Sequence, residues 1–168
     1  NIVISGSGSI LFNDYFEYNI AASITNQTTI SIIDGLNANN LAGTSWINEG
    51  TLNYSSSTYD IMGSNGTLDA DFAGNTVNYN GTGDQNVRNT TYHHLISSNS
   101  GTKTAVGDIT VNGDFTLSGG TFILNNSASG YTLTIYGDYS QTGGTFDFNS
   151  NTSGNSIIYI AGNFSNTT

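Results

Sequence analysis

Gly113-Asp114-Phe115-Thr116-Leu117-Ser118-Gly119-Gly120-Thr121-Phe122 returns as Gly137-Asp138-Tyr139-Ser140-Gln141-Thr142-Gly143-Gly144-Thr145-Phe146. Its opening returns once more as Gly162-Asn163-Phe164-Ser165. Gly113, Gly137 and Gly162 are evenly spaced to within one position. A period of about two dozen positions marks one supersecondary unit stacked on copies of itself, each unit burying its apolar side chains against its neighbours. The aligned units assign inside and outside. Phe115, Tyr139 and Phe164 coincide, as do Phe122 with Phe146 and Leu124 with Phe148. Ile123 coincides with Asp147, so this position faces water while its flanks face the core, as strand alternation requires. With one extra residue in the segment 154–157, Leu133 and Ile135 match Ile158 and Ile160. Each unit then supplies about three short strands and the turns between them.

The turns carry their own chemistry. Gly119-Gly120 and Gly143-Gly144 permit positive φ at one corner. At another, Gly113, Gly137 and Gly162 precede Asp114, Asp138 and Asn163, whose side chains are expected to bond their own backbone. Upstream the pattern is looser but keeps a signature of Gly, Ser or Thr, apolar, any, apolar. It reads as Gly8-Ser9-Ile10-Leu11-Phe12, Gly50-Thr51-Leu52-Asn53-Tyr54 and, with Asn in the Gly position, Asn75-Thr76-Val77-Asn78-Tyr79. Leu52 to Val77 is one unit, the same interval as Gly137 to Gly162. Ile10 to Leu52 and Val77 to Phe122 each read as two shorter units. No segment shows helical periodicity with caps. The sequence has no proline, which suits interior strands that need every N–H for the ladder. A sandwich or barrel would not sustain this period. The pattern predicts an all-β, right-handed parallel β-solenoid of roughly seven coils of about 21–25 residues. One solenoid segment covers residues 1–168, with degenerate coils over 1–74 and clearer ones over 75–168. Both ends fall inside patterned sequence, which predicts a piece of a longer array or filament.

Composition narrows the partners. Only 8% of residues are charged and 11% are aromatic, the reverse of a disordered chain. The net charge is −10, with Arg88 and Lys103 as the only basic side chains. No basic patch can displace counterions from nucleic acid, so no nucleic-acid partner is expected. No run approaches the roughly 18 apolar residues of a spanning helix, so no membrane insertion is expected. There is no cysteine, hence no disulfide framework and no thiolate metal site.

The residues that could carry chemistry read as structural. Asp69 and Asp71 share one strand face, with Leu68, Ala70 and Phe72 turned inward. Paired acids on a solenoid wall suit a calcium-dependent polysaccharide lyase, but such an enzyme also needs bases near the acids, and Arg88 and Lys103 are not evidently there. His93-His94 would point to opposite faces of a strand and could not chelate one metal. Gly6-Ser7-Gly8 and Gly81-Thr82-Gly83 lack the third glycine and the helix of a phosphate loop. Thr132 and Thr134 fall opposite Ile157 and Tyr159, which ends any ice-binding threonine array. Trp46 is expected to fill an end or corner of the core. No catalytic, cofactor-binding or metal-binding residue is assigned. The site residues are the core stack of Phe115, Tyr139, Phe164, Phe122, Phe146, Leu124, Phe148, Leu133, Ile135, Ile158 and Ile160. The turn set comprises Gly113, Asp114, Gly119, Gly120, Gly137, Asp138, Gly143, Gly144, Gly162 and Asn163.

From Asn75 to Phe164 the order of motifs is distinctive. Asn75-Thr76-Val77-Asn78-Tyr79-Asn80-Gly81-Thr82-Gly83-Asp84-Gln85-Asn86-Val87 is followed by Tyr92-His93-His94-Leu95, Gly101-Thr102-Lys103-Thr104 and Ile109-Thr110-Val111-Asn112-Gly113-Asp114-Phe115. This order resembles the repetitive secreted adhesins of the Bacteroidetes, including large gliding-motility surface adhesins. The resemblance implies an extracellular or cell-surface location and a non-catalytic structural or adhesive role, as a stiff rod with repeated polar faces. A carbohydrate-binding or carbohydrate-cleaving β-helix is the alternative, and a groove lined by aromatics and paired acids would favour it. The partners expected are the chain itself, end to end with neighbouring modules or subunits, and surface glycans. Neither residues 1–12 nor residues 149–168 carry a charged side chain, so neither end blocks such stacking. Gly8-Ser9-Ile10-Leu11-Phe12 resembles the half-unit that would continue Gly162-Asn163-Phe164-Ser165.

Overall fold

The structure is a computed structural model that describes residues 1–18, 22–37, 42–124, 128, 130–150 and 154–168. Strands follow one another around successive coils. The first coil holds β1 (Ile2–Ile4), β2 (Ser9–Phe12) and β3 (Phe16–Glu17), and the second holds β4 (Ser23–Asn26), β5 (Thr29–Ile32) and β6 (Leu36–Asn37). The third has β7 (Ser45–Asn48) and β8 (Thr51–Tyr54). The fourth has β9 (Thr67–Asp69), β10 (Thr76–Tyr79) and β11 (Gln85–Val87), and the fifth β12 (Thr91–Tyr92), β13 (His94–Ser97) and β14 (Thr102–Ala105). The sixth has β15 (Ile109–Val111) and β16 (Phe115–Ile123), the seventh β17 (Thr132–Ile135) and β18 (Tyr139–Asp147). The strands β19 (Ile157–Ile160) and β20 (Phe164–Asn166) lie on top. No helix occurs among the described residues.

Every strand pairing is parallel, and each joins one coil to the next. The chain is a three-faced parallel β-solenoid of about seven turns. The first face runs from β1 through β4 and β7 to β9, crosses by the Ala70–Tyr92 bridge, and continues from β12 through β15 and β17 to β19. The second face stacks Ile10, Ile30, Leu52, Val77, Leu95, Phe115, Tyr139 and Phe164 in one column. Three steps of this column, Ile10 to Ile30, Val77 to Leu95 and Leu95 to Phe115, are shorter than the coil length the sequence pattern predicts. In the shortest, Val77 to Leu95, the turn between the first and second faces shrinks to His93 alone between β12 and β13. The third face begins with β3 and β6, loses its strand in the third coil, and resumes through β11, β14 and the C-terminal halves of β16 and β18.

The alternation of β4, β5, β7, β8, β10, β13, β14 and β17, half-buried then buried, follows from one side of each strand lining the solenoid interior. Trp46 is fully enclosed within β7, stacked between Ile24 and Leu68, rather than at an end or corner. β16 and β18 each carry the chain around the second-to-third corner as one strand, their pairing shifting register on either side of Ser118, beside Gly119-Gly120 and Gly143-Gly144. Gly120 and Gly144 have φ of 67° and 73°, and a Cβ on either would press on the carbonyl of the glycine one coil below, Gly101 or Gly120. Only glycine meets both conditions.

Phe122 stacks on Phe146 with ring centroids 5.5 Å apart, and Leu133 and Ile135 pair with Ile158 and Ile160. Ile123 pairs with Asp147, both half-buried on the outer side. Phe164 keeps its place in the stack, its ring on that of Tyr139 (5.1 Å), and is 65% exposed at the top of the described coils. Two expectations fail, at Phe148 and Phe72. Leu124 is buried but Phe148 is 43% exposed, because Asp147 turns the chain outward: its carboxylate accepts from Asn149 N–H (3.1 Å) and from the Ser150 hydroxyl. Phe72 is 51% exposed, because β9 has already ended and the chain turns at residues 72–74.

The upstream signature also belongs to a different face. Ile10, Leu52 and Val77 stack on Phe115, not on Phe122. A glycine turn followed by Ser or Thr and alternating apolar residues opens a strand at two corners of the coil, so the motif alone does not identify the face. For the same reason Gly8-Ser9-Ile10-Leu11-Phe12 lies on the face of Phe164 and is not the missing half of its coil.

Candidate functional site

The polar side chains fall into four groups, and three are built into the solenoid. At the corner between the first and second faces, His94 Nδ1 accepts from Asp114 N–H (3.0 Å), Asp114 Oδ1 from Asp138 N–H (2.9 Å), and Asp138 Oδ1 from Asn163 N–H (2.8 Å). The expected bonds to their own backbone are therefore bonds to the next coil: the parallel stack brings the neighbouring corner amide closer than any local one. Upstream the corner is held from inside. Asn26 Nδ2 donates to Asn48 Oδ1 (2.8 Å) and Thr51 O (3.1 Å), Asn48 Nδ2 to Thr76 O (3.0 Å), and Asn75 Nδ2 to Asn48 O. All three asparagines are fully enclosed. The sequence did hold a signal for two of them: Asn26 and Asn48 each lie four residues before a column residue, Ile30 and Leu52.

Both basic side chains close irregular turns. Arg88 Nη1 donates to Ile61 O (2.8 Å) and Gly63 O (2.7 Å), and Nη2 to Gly66 O, clamping the segment that replaces a strand in the third coil. Lys103 is wholly enclosed and donates to Gly81 O (2.6 Å) and Ser100 O. Burial pulls its pKa down, with Asp84 opposing. In the coil beneath, Gln85 Nε2 donates to Tyr54 O (2.9 Å) and Ser56 O (2.8 Å). Lys103 and Gln85 thus satisfy backbone carbonyls at the irregular corner.

The carboxylate and histidine pairs lie on adjacent coils, where Ala70 bridges Tyr92 and His93 N–H donates to Ala70 O (2.7 Å). Asp69 and Asp71 face outward beside buried Leu68 and Ala70. Burial first, then the Asp71 charge, raises the Asp69 pKa. His93 and His94 do not diverge as neighbouring strand residues would. His93 makes the turn and His94 opens β13, and their rings meet edge to face at 4.3 Å. Burial first, then His94, lowers the His93 pKa, while Asp114 opposes. Among the described residues no three His, Cys, Asp or Glu side chains gather as a metal site.

The fourth group is a groove. Where the third face lacks its strand, residues 57–60 stand beside the outer side of β11 and β14, leaving two adjoining depressions of about 190 and 240 Å³ that share Asp60 and Asn86. Tyr59, Asp84, Asn89 and Thr104 are among the other residues that line them. Asp84 Oδ1 accepts from Thr102 N–H (2.8 Å). A separate apolar hollow of about 110 Å³ lies at the top of the core, among Tyr139, Phe146, Ile158, Ile160 and Phe164.

Compared with protein-family models, curated proteins and solved structures, the chain matches none.

Proposed function

We propose that this chain is a non-catalytic structural and adhesive segment of a bacterial extracellular filament or surface adhesin, of the kind its residues 75–164 resemble. The observation that carries the reading is the parallel column on the second face, which runs from Ile10 to Phe164 without a missing pair. Continuous ladders on parallel faces make a rod that resists bending and leaves few unpaired edges along its sides. Seven coils at about 4.8 Å give it a length near 34 Å. The use of both cations and of Asp114 and Asp138 as backbone clamps supports a mechanical role.

The rod continues end to end onto further coils of the same geometry. β19 and β20 present an open upper edge beside exposed Ile157, Tyr159 and Phe164. The corner ladder reaches Asn163, whose Nδ2 donates down to Asp138 (3.1 Å) and leaves Oδ1 to accept from an amide above.

Two assays test the reading together. Antibody against the chain should label the outside of intact producing cells, and particles coated with the chain should adhere to surfaces. Incubation with polysaccharides should release no reducing ends. Release abolished by joint replacement of Asp69, Asp71, His93 and His94 would overturn the proposal in favour of a carbohydrate-cleaving β-helix.

A further inference from the structure

We infer that the groove on the third face, between residues 57–60 and the outer side of β11 and β14, binds a neutral oligosaccharide. This rests on the adhesive reading above and gives it a site and a ligand class. The first observation is what the polar side chains do elsewhere. On the second face the outward row is tied together: Asn53 Nδ2 donates to Ser31 Oγ (3.3 Å), Asn78 Nδ2 to Asn53 Oδ1 (3.2 Å), and Ser98 Oγ to Asn78 Oδ1 (2.8 Å). In the groove the Asp60 carboxylate, the Asn86 and Asn89 amides and the hydroxyls of Tyr59 and Thr104 make no hydrogen bond to any described residue. Donors and acceptors that converge on one concavity without pairing to each other are what a ligand rich in hydroxyls requires.

The second observation is the aromatic. Tyr59 is 44% exposed, yet its ring is braced against Tyr15 at 4.8 Å. A held ring with an open side can cover the apolar C–H face of a pyranose at little conformational cost. The two depressions, joined at Asp60 and Asn86, match a ligand of linked rings better than a single small molecule. The charge selects within that class. Asp60 and Asp84 line the groove, while both nearby cations are engaged by backbone carbonyls, Arg88 through its two terminal nitrogens and enclosed Lys103 through its ammonium. Uronic-acid chains would meet two carboxylates and no available cation, so the ligand is uncharged.

The full chain is titrated by calorimetry, in chelator, with cellohexaose, mannohexaose, xylohexaose and hexagalacturonate. At least one neutral hexaose is expected to bind, and hexagalacturonate is not. Tyr59→Ala should weaken binding about tenfold or more. Asn86→Ala and Thr104→Ala alter outward side chains that brace nothing, and each should weaken it by several-fold with the fold unchanged by circular dichroism. Asn78→Ala, on the second face, should not. Absence of binding to all three neutral hexaoses, equal binding of hexagalacturonate, binding only with added calcium, or binding indifferent to the groove variants would overturn the inference. Any of those results on a folded rod would leave the structural reading standing, whereas failure of cell-surface labelling would remove that reading and leave the sugar titration unchanged.

Discussion

Phe122→Ala removes a ring with no exposed surface. It stacks on Phe146 at 5.5 Å and meets the edge of Phe115 at 4.9 Å. Burying such a side chain contributes about 2–3 kcal/mol from apolar transfer. The two ring contacts add about 0.5–1.5 kcal/mol each, and coils fixed by ladders on three faces cannot collapse into the cavity. The expected loss is about 3–5 kcal/mol. Phe148→Ala, at a side chain 43% exposed, should cost less than about 1 kcal/mol. A column that included Phe148 would make the two costs similar. In a stacked array the damage is felt by nearest neighbours, so hydrogen exchange is the informative assay. Amides of β15 to β18 should lose protection while those of β4 to β8 keep theirs. Equal losses for the two variants, or a loss spread evenly over the chain, would refute the register and the nearest-neighbour reasoning.

Asp138→Ala should cost about 1 kcal/mol by denaturant titration, because Asn163 N–H loses its acceptor, and Asp138→Asn should recover most of it. Gly144→Ala, at φ 73° and against the Gly120 carbonyl, should cost about 2 kcal/mol or more, while Gly8→Ala, with open space around it, should stay within about 0.5 kcal/mol. Burial raises the phenol pKa of Tyr18, Tyr79 and Tyr139 to about 12, and pushes Tyr54 and Tyr92 up as well. A raised folded pKa gives stability that is complete below the unfolded value of 10.0 and is lost as pH climbs toward 12. Enclosed Tyr79 alone accounts for about 2–3 kcal/mol of that loss. Denaturant midpoints should therefore hold up to pH 9 and fall steeply above pH 10, and a flat profile across that window would show these phenols to be solvated.

The period was legible because the downstream coils keep one length and one pair of glycine corners. Phe115 on Tyr139 on Phe164, and Leu133 and Ile135 on Ile158 and Ile160, follow from it directly. Upstream, the coils differ in length, the step from Leu52 to Val77 being the longest there and that from Val77 to Leu95 the shortest. A distance such as Val77 to Phe122 can then be divided into two coils although it crosses from one face to another. Phe148 was misplaced because alternation alone does not reveal the Asp147 turn that ends the strand. The groove was invisible for a related reason. It exists where a coil lacks its third strand, and what fills a missing strand is set by Arg88 gathering the carbonyls of Ile61, Gly63 and Gly66 from the coil before it.

The stacking order is tested most directly by disulfide crosslinking, since the chain has no cysteine of its own. Ile96 and Thr116 are register partners on the outer side of the second face. Neighbouring strands about 4.8 Å apart place such a pair within the Cα range of a disulfide. Ile96→Cys/Thr116→Cys should oxidise fully in the folded chain under mild conditions, with cooperative unfolding retained. Ile96→Cys/Ile123→Cys, which follows the alternative alignment of the upstream strands with the Phe122 strand, should remain reduced. Oxidation of the second pair with the first left reduced would contradict the three-faced solenoid and its order of coils.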